Sequence, residues 1–468
     1  MSPQNATIAF TFGILGLFAL NRDRKAQTSP ALWISVMWVW ICGSRAMSEW
    51  LAIIGFSDAE SSVISPNQLL DGSPIDRAVF AALLVVGMVV LVRRSREVGA
   101  LLRANLPIVL FFLYCAMSIS WSDYPGVAFK RWIKALGDPV MVLIVLTDRN
   151  RTAAVKRLLS RVGFLLVPLS ILFIKYYGDL GRAFDRATGD PMYIGVTTGK
   201  NLLGMICLIS VLAAEWRFFQ SFPGRGCQTR VGPLVANGVL LAMGLWLFWL
   251  ANSMTSLSCF LLASGVMAAT RLRAVIRRPW LVHVLVLAVV CVSASALFLS
   301  LGGGVLETMG RDPTLTGRTG VWKLVLNMTR NPVFGAGFES FWLGPRLEKI
   351  WSVYWWHPNE AHNGYIEVFL NLGWVGVTLF AVLLIASYLN VFDAFRRDPE
   401  MGRLRLAYFV VAVVFNFTEA AMKMLDPVWI LFLMAVIVVP ESRVRIKDSR
   451  ALVQHPINAP AEPCVEEV

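Results

Sequence analysis

The chain has 468 residues, of which 56% are hydrophobic and 16% charged, and its mean hydropathy is +0.62. That composition excludes a soluble globular protein of this size and points to transmembrane helices. The net charge of +13 is no argument for nucleic acid, because membrane proteins gather Lys and Arg in the cytoplasmic loops that set their orientation.

Apolar runs fall at about 7–20, 31–43, 78–92, 105–120, 127–147, 162–176, 197–214, 233–251, 254–270, 281–301, 365–390, 404–420 and 427–440. Length and apolarity make each a candidate helical span, twelve or thirteen in all. The runs are continuous rather than alternating, which excludes a β-barrel. The fold class expected is therefore an all-α integral membrane protein. The first run is followed by basic residues and has no small-residue cleavage site, so it reads as a span and not a cleaved signal. Seven cysteines show no CxxC spacing and none lies in 302–363, so neither a disulfide framework nor a zinc site is expected.

Basic clusters occupy every second gap between runs: Arg22 to Lys25, Arg93 to Arg103, Arg149 to Arg161, Arg217 to Arg230, Arg271 to Arg278, Arg396 to Arg405, and the tail from Arg443. The positive-inside rule makes those gaps cytoplasmic and the others extracytoplasmic. The division expected is a membrane bundle at 1–301, a periplasmic loop at 302–363, C-terminal spans at 364–440 and a disordered cytoplasmic tail at 441–468. Basic residues on the external side oppose the orientation signal. They include Lys130, Arg131 and Lys134, Arg182 and Arg186, Lys200, and Arg311, Arg318 and Lys323. Charge near a bilayer is costly and often functional, although snorkelling of long side chains accounts for some of it.

The loop at 302–363 is the part most suited to chemistry. It opens on Gly302-Gly303-Gly304, runs through Gly310-Arg311-Asp312-Pro313 and Gly317-Arg318-Thr319-Gly320-Val321-Trp322, and closes on Glu360-Ala361-His362-Asn363. Loops this long are usually functional or disordered. No nucleotide sugars reach the outer face, so a glycosyl donor there would be carried on a polyprenyl pyrophosphate. Breaking its sugar–phosphate bond needs fixed cations at the leaving group. Arg186 and Arg318 suit that role through their planar forks, with Arg311 and Lys200 in support. A sugar hydroxyl attacking the anomeric carbon needs a base. Of four histidines, His283 lies in a span, His455 in the tail, and His357 beside Pro358 reads as structural. His362 remains, at a helix start where the dipole is expected to keep it neutral; a capping role is its alternative. Glu360 could orient His362 or act as the base. The aromatics Phe338, Phe341, Trp342, Trp351, Tyr354, Trp355 and Trp356 could anchor the loop at the interface or stack on sugar faces. Walker and dinucleotide-binding fingerprints are absent from the sequence.

These residues resemble the O-antigen ligase and polymerase superfamily. Gly317-Arg318-x-x-x-Trp322 is similar to its GRxxxW element, and His362-Asn363, nine residues, then Gly373-Trp374-Val375-Gly376 is similar to its H[NSQ]-x9-GxxG element. The string Gly310 to Thr319, Gly335-Ala336-Gly337-Phe338, Gly43-Ser44-Arg45, Trp121-Ser122 and Thr198-Gly199-Lys200-Asn201 are most like the exopolysaccharide branch typified by the succinoglycan polymerases. The resemblance spans about 31–440 and implies a GT-C-like, metal-independent, inverting glycosyltransferase in a bacterial inner membrane. Its substrates would be undecaprenyl-pyrophosphate-linked glycans, its partners the bilayer and possible chain-length regulator and export proteins, and it would need no cofactor. It implies His362 as base, Arg318 as a donor-pyrophosphate ligand and Arg186 as a second one by position. Trp322, Asn363, Gly373 and Gly376 would support the site, with the GxxG allowing close helix packing. A ligase onto lipid A core or protein shares every motif. A lipid-linked glycan flippase is the alternative of another class, but it would set its charges at the bilayer midplane.

Overall fold

A computed structural model describes residues 1–23, 26–56, 72–184, 189–222, 230–298 and 318–440. Their regular structure is almost wholly helical. In chain order come α1 (Pro3–Leu20), α2 (Leu32–Cys42), α3 (Met47–Ile53), α4 (Pro74–Arg93), α5 (Ser95–Ala104), α6 (Leu106–Met117), α7 (Pro125–Ala135), α8 (Gly137–Leu146) and α9 (Arg151–Tyr176). Then follow α10 (Lys200–Gln220), α11 (Val231–Ala251), α12 (Met254–Ala269), α13 (Leu281–Phe298), α14 (Arg318–Asn327), α15 (Gly344–Val353), α16 (Gly364–Arg397), α17 (Pro399–Phe415) and α18 (Pro427–Val436). Two three-residue strands, β1 (Arg182–Phe184) and β2 (Pro191–Tyr193), pair antiparallel.

Six of the described helices are long and apolar enough to cross a bilayer: α1, α4, α9, α10, α11 and α16. The α5–α6 pair, bent by 90° around Asn105, brings the number to seven, and α2, α12, α13 and α18 are shorter apolar helices. The fifth apolar run is not one rod. It divides at Leu136 into the amphipathic α7 and the fully buried α8. A Cβ on Gly137 would lie 2.0 Å from the Trp38 ring, so the break lets α8 press against α2. The central helices are α9, α10, α17 and α18, with α17 packing against α12, α16 and α18.

Polar contacts sort the loops into two ends. At one end Arg94 bonds Ile144 O and Thr147, Arg217 bonds Lys156 O and Asn21, and Asn105 bonds Val438. At the other, Thr7 meets Tyr177, Arg346 pairs with Asp123 and Trp121 bonds Phe334 O. The first set of contacts joins gaps that carry the basic clusters, and the second joins gaps that do not. The second is called the site end below.

The described part of the large loop, 318–363, is more regular than its sequence suggests. It forms α14 and α15, which share a small core of Val321, Val325, Phe341, Leu347 and Ile350 apart from the main one. Helices of ten residues are too short for their periodicity to stand out among so many aromatics. Residues 302–317 and the tail at 441–468 lie outside the described residues.

Helix α16 is broken at Gly373, whose φ of 63° only glycine adopts cheaply. There the backbone of 332–337 runs alongside: Ala336 N bonds Leu370 O at 3.0 Å, and Trp374 N bonds Pro332 O at 2.9 Å. A Cβ on Gly373 would sit 2.3 Å from Val333 O. The expected helix–helix role of the GxxG element is thereby corrected, because Gly373 admits a loop backbone rather than a helix, and Gly376 faces the Leu372 side chain one turn back. Gly373→Ala should destabilise the protein by roughly 1–3 kcal/mol from backbone strain alone. The check is a thermal melt in detergent, with Gly265→Ala, which meets open space, as the unaffected control.

Candidate active site

Arg318 is the first residue of α14 and Trp322 lies one turn on, so both project from one face. Trp322 Nε1 donates to Ala361 O at 2.7 Å, which ties the 361–363 segment to α14. The spacing in GRxxxW therefore sets one residue to hold the histidine segment and one to reach past it.

His362 has φ +49°, a left-handed conformation that costs a β-carbon residue about 1–3 kcal/mol. Its neighbours hold it there. Asn363 caps α16, its Oδ1 accepting from Tyr365 N at 3.0 Å and Ile366 N at 3.1 Å, while its Nδ2 donates to Phe417 O at 2.9 Å. Gly364 N donates to Asn416 O at 2.9 Å, and a Cβ on Gly364 would meet Asn416 Oδ1 at 1.8 Å. His–Asn–Gly is thus a backbone device that docks the start of α16 onto the segment after α17.

That segment carries a residue the sequence reading missed. Glu419 is buried; its Oε1 accepts from Arg318 Nη2 at 3.1 Å and its Oε2 faces His362 Nδ1 at 3.0 Å. Arg318 also donates to Thr418 O, and Asn201 Nδ2 donates to Glu419 Oε1 at 3.2 Å. Glu360 Oε1 lies 3.0 Å from the same His362 Nδ1, and Glu360 Oε2 pairs with Lys423, which the reading also missed. The result is one chain of contacts: Arg318, Glu419, His362, Glu360, Lys423. Trp356 stacks on the His362 ring with centroids 6.1 Å apart.

Of the residues singled out from sequence, His362, Glu360, Arg318, Trp322 and Asn363 come together here. Lys200 begins α10 next to Asn201, which reaches Glu419, but the contacts of the cluster do not include Lys200 itself. Arg186 and Arg311 lie outside the described residues. His357 stacks on Trp351 at 4.6 Å, away from the cluster's contacts. Most loop aromatics serve the loop itself: Phe341 is buried, Trp351 Nε1 bonds Pro358 O, and Trp342 Nε1 donates to both oxygens of Glu367 at 2.9 and 3.0 Å. Glu419 and Lys423 had a signal. Glu419 falls at the end of the run 404–420 and Lys423 in the short gap after it, and an ionisable residue within a span is a functional candidate.

The expectation of a neutral His362 is corrected. Burial disfavours its charge, but hydrogen bonds and charge from Glu360 and Glu419 outweigh burial and push it up to about 9. A helix dipole contributes only partial charge, while two carboxylates at 3.0 Å contribute nearly whole ones. Burial opposes ionisation of Glu360 too, but Lys423 and His362 hold its carboxyl well below the usual range.

His362 Nδ1 and one oxygen each from Glu360 and Glu419 lie within 4.8 Å of one another, a spacing that could receive a cation. Each of those atoms is already engaged, however, and Arg318 and Lys423 offset both carboxylates. A divalent cation would enter a cluster whose negative charge is already compensated.

Comparison with known proteins agrees with the motifs. Residues 228–381 match the family model described as O-antigen ligase. The chain is also 24% identical over 308 residues to the exopolysaccharide production protein ExoQ of Rhizobium meliloti (strain 1021), a match covering 63% of this chain and 67% of that protein. Both similarities fall in the superfamily, and the second in the branch, that the sequence motifs resemble. The family match ends before Glu419 and Lys423.

The titration of His362 follows from this geometry. By NMR of histidine-labelled protein, His362 should titrate near 9. Glu360→Gln removes an anion that favours the imidazolium, so the titration should move to lower pH. An unchanged value in that variant would contradict the assigned pairing.

Proposed function

We propose that this chain is a membrane glycosyltransferase that polymerises oligosaccharide units carried on undecaprenyl pyrophosphate into an exopolysaccharide, by direct inverting displacement and without a metal or cofactor. The observation that carries this reading is the bridge made by Glu419, which holds a guanidinium and an imidazole on its two oxygens. The similarity to the O-antigen ligase family and to an exopolysaccharide production protein supports the substrate class.

With Nδ1–H directed at the two carboxylates, Nε2 is the atom of His362 left to accept a proton, as in a carboxylate-oriented catalytic imidazole. The acceptor hydroxyl gives its proton to Nε2 while its oxygen bonds to the anomeric carbon from the face opposite the phosphate. The C–O bond to phosphate breaks, and its electron pair leaves on the diphosphate. Arg318 supplies the charge that stabilises that oxygen, with Lys200, one residue before Asn201, as a second cation for the diphosphate. Arg318 spends two donors on Glu419 and Thr418 and has five in all, so N–H groups remain for phosphate oxygens. Glu360 and Glu419 fix the ring and stabilise the imidazolium formed in the step. The base is strong but largely protonated at neutral pH, so the rate should rise with pH toward about 9. The charged groups lie at one end of the bundle rather than midway along its helices, which disfavours transport as the primary activity.

A ligase moving finished glycan to another acceptor is the second reading, favoured by the description of the matched family. Loss of the gene separates the two: a polymerase mutant stops at single repeat units, whereas a ligase mutant accumulates long lipid-linked chains.

His362→Ala should abolish chain growth while lipid-linked units still reach the outer face. Arg318→Lys keeps the charge but loses the fork, so turnover should fall roughly 10²–10³-fold with normal membrane insertion. Both are read as polymer ladders from purified enzyme and lipid-linked repeat units. Wild-type activity should survive EDTA; its loss, restored by a divalent cation, would refute the metal-free step.

A further inference from the structure

The basic residues of α7 are not used by the chemistry above. Lys130, Arg131 and Lys134 border a cavity of 550 Å³ between α7 and the site end of α4, where Arg77 adds a fourth cation. Asp76 also borders it, held by Ser48 N at 2.9 Å and Ser48 Oγ at 2.8 Å, and its negative charge offsets one of the four cations, which leaves the groove net positive. The buried hydroxyl of Ser73, at the α4 N-terminus and on the same wall, has no hydrogen-bond partner. The rest of the lining is apolar, including Trp38, Phe80, Leu84 and Ile133. Leu84 also belongs to a second, apolar furrow that continues down α4 through Val85, Met88, Val89 and Val92 to Arg93. Cations at one end and a hydrocarbon track along a membrane-length helix are the complement of a long-chain lipid with a multiply charged anionic head.

The groove also communicates with the site. Arg131 and Met424 line both it and a 240 Å³ cavity whose walls include Glu339, Trp342, Glu360 and Lys423. Glu360 touches His362. The order of contacts is therefore Arg318, Glu419, His362, Glu360, the inner cavity, Arg131 and the groove. A diphosphate that leaves during the reaction must lie at the Arg318 end. A lipid head in the groove is separated from His362 by a space of aromatic and apolar walls that also carries Glu339, Glu360 and Asn371, a lining suited to the flat faces and hydroxyls of a saccharide.

We propose that the α4–α7 groove seats the second polyprenyl diphosphate of the reaction, the one that carries the acceptor glycan, and that the inner cavity delivers its terminal sugar to Glu360 and His362. This rests on the polymerase reading, in which both substrates are lipid-linked. A ligase acting on a protein acceptor would have no use for such a groove.

The test is lipid stoichiometry. Full-length protein in phosphatidylcholine nanodiscs is loaded with undecaprenyl diphosphate and examined by native mass spectrometry. Wild type should retain two lipids, the Lys130→Glu/Lys134→Glu variant one, and Arg318→Ala one. The double variant should also lose polymer yield by more than about tenfold, recovered in part by raising the acceptor concentration. Lys130→Glu alone, on an exposed position, gives the same readout if the double variant fails to insert. A double variant that still holds two lipids overturns the proposal, as does displacement of the second lipid by phosphatidylglycerol, which would mark an ordinary anionic-lipid site. A wild type that binds one lipid, lost on Arg318→Ala, overturns the groove and leaves the proposed function standing. Lipid binding that neither variant changes overturns both.

Discussion

Glu419 is the interaction on which the rest of the site end depends. One buried carboxylate accepts from a guanidinium on one oxygen and faces an imidazole on the other. A buried carboxylate is tolerable only when so compensated, and removing either partner leaves an uncompensated charge. The surrounding details make that meeting geometrically possible. The cap by Asn363, the close approach at Gly364 and the bond from Trp322 to Ala361 together place His362 in a conformation it would not choose alone. Strain of this kind persists where the surroundings over-determine a residue.

Under the proposed function the same network would divide the labour of a displacement reaction. Arg318 would meet the charge on the departing group; at the centre an imidazole stands between two carboxylates; beyond it an aromatic-walled cavity that carries Glu339 and Glu360 borders a cationic groove. A transferase needs separate places for leaving group, proton and nucleophile, and these three regions follow one another in that order.

The sequence made part of this visible and hid part for physical reasons. Periodic charge in alternate gaps sorted the loops into two sets, because orientation is written in local composition. Arg318 and His362 stood out because each sits in a short motif and histidines are only four in the chain. Glu419 and Lys423 did not, because a glutamate at the end of an apolar run reads as a span terminus, and its partnership with His362 joins positions 57 apart. The protonation of His362 was misread for the same reason: its helix was visible in sequence, its second carboxylate was not. The division of the fifth run into α7 and α8 had a local signal in Lys134 and Gly137-Asp138-Pro139 on either side of Leu136, which the apolar length of the run overrode.

The break at Gly373 has a mechanical consequence. Below it, α16 continues from Trp374 to Arg397, a shaft long enough to cross the hydrocarbon. Above it, a stub of nine residues from Gly364 to Leu372 is stitched to the 332–337 backbone. Helical shafts tilt when bilayer thickness changes. Because the 332–337 backbone also bonds Trp374 and Val375 at the top of the shaft, it braces the joint, and the angle at which the shaft meets the stub beneath His362 is set by that strap rather than by a continuous helix.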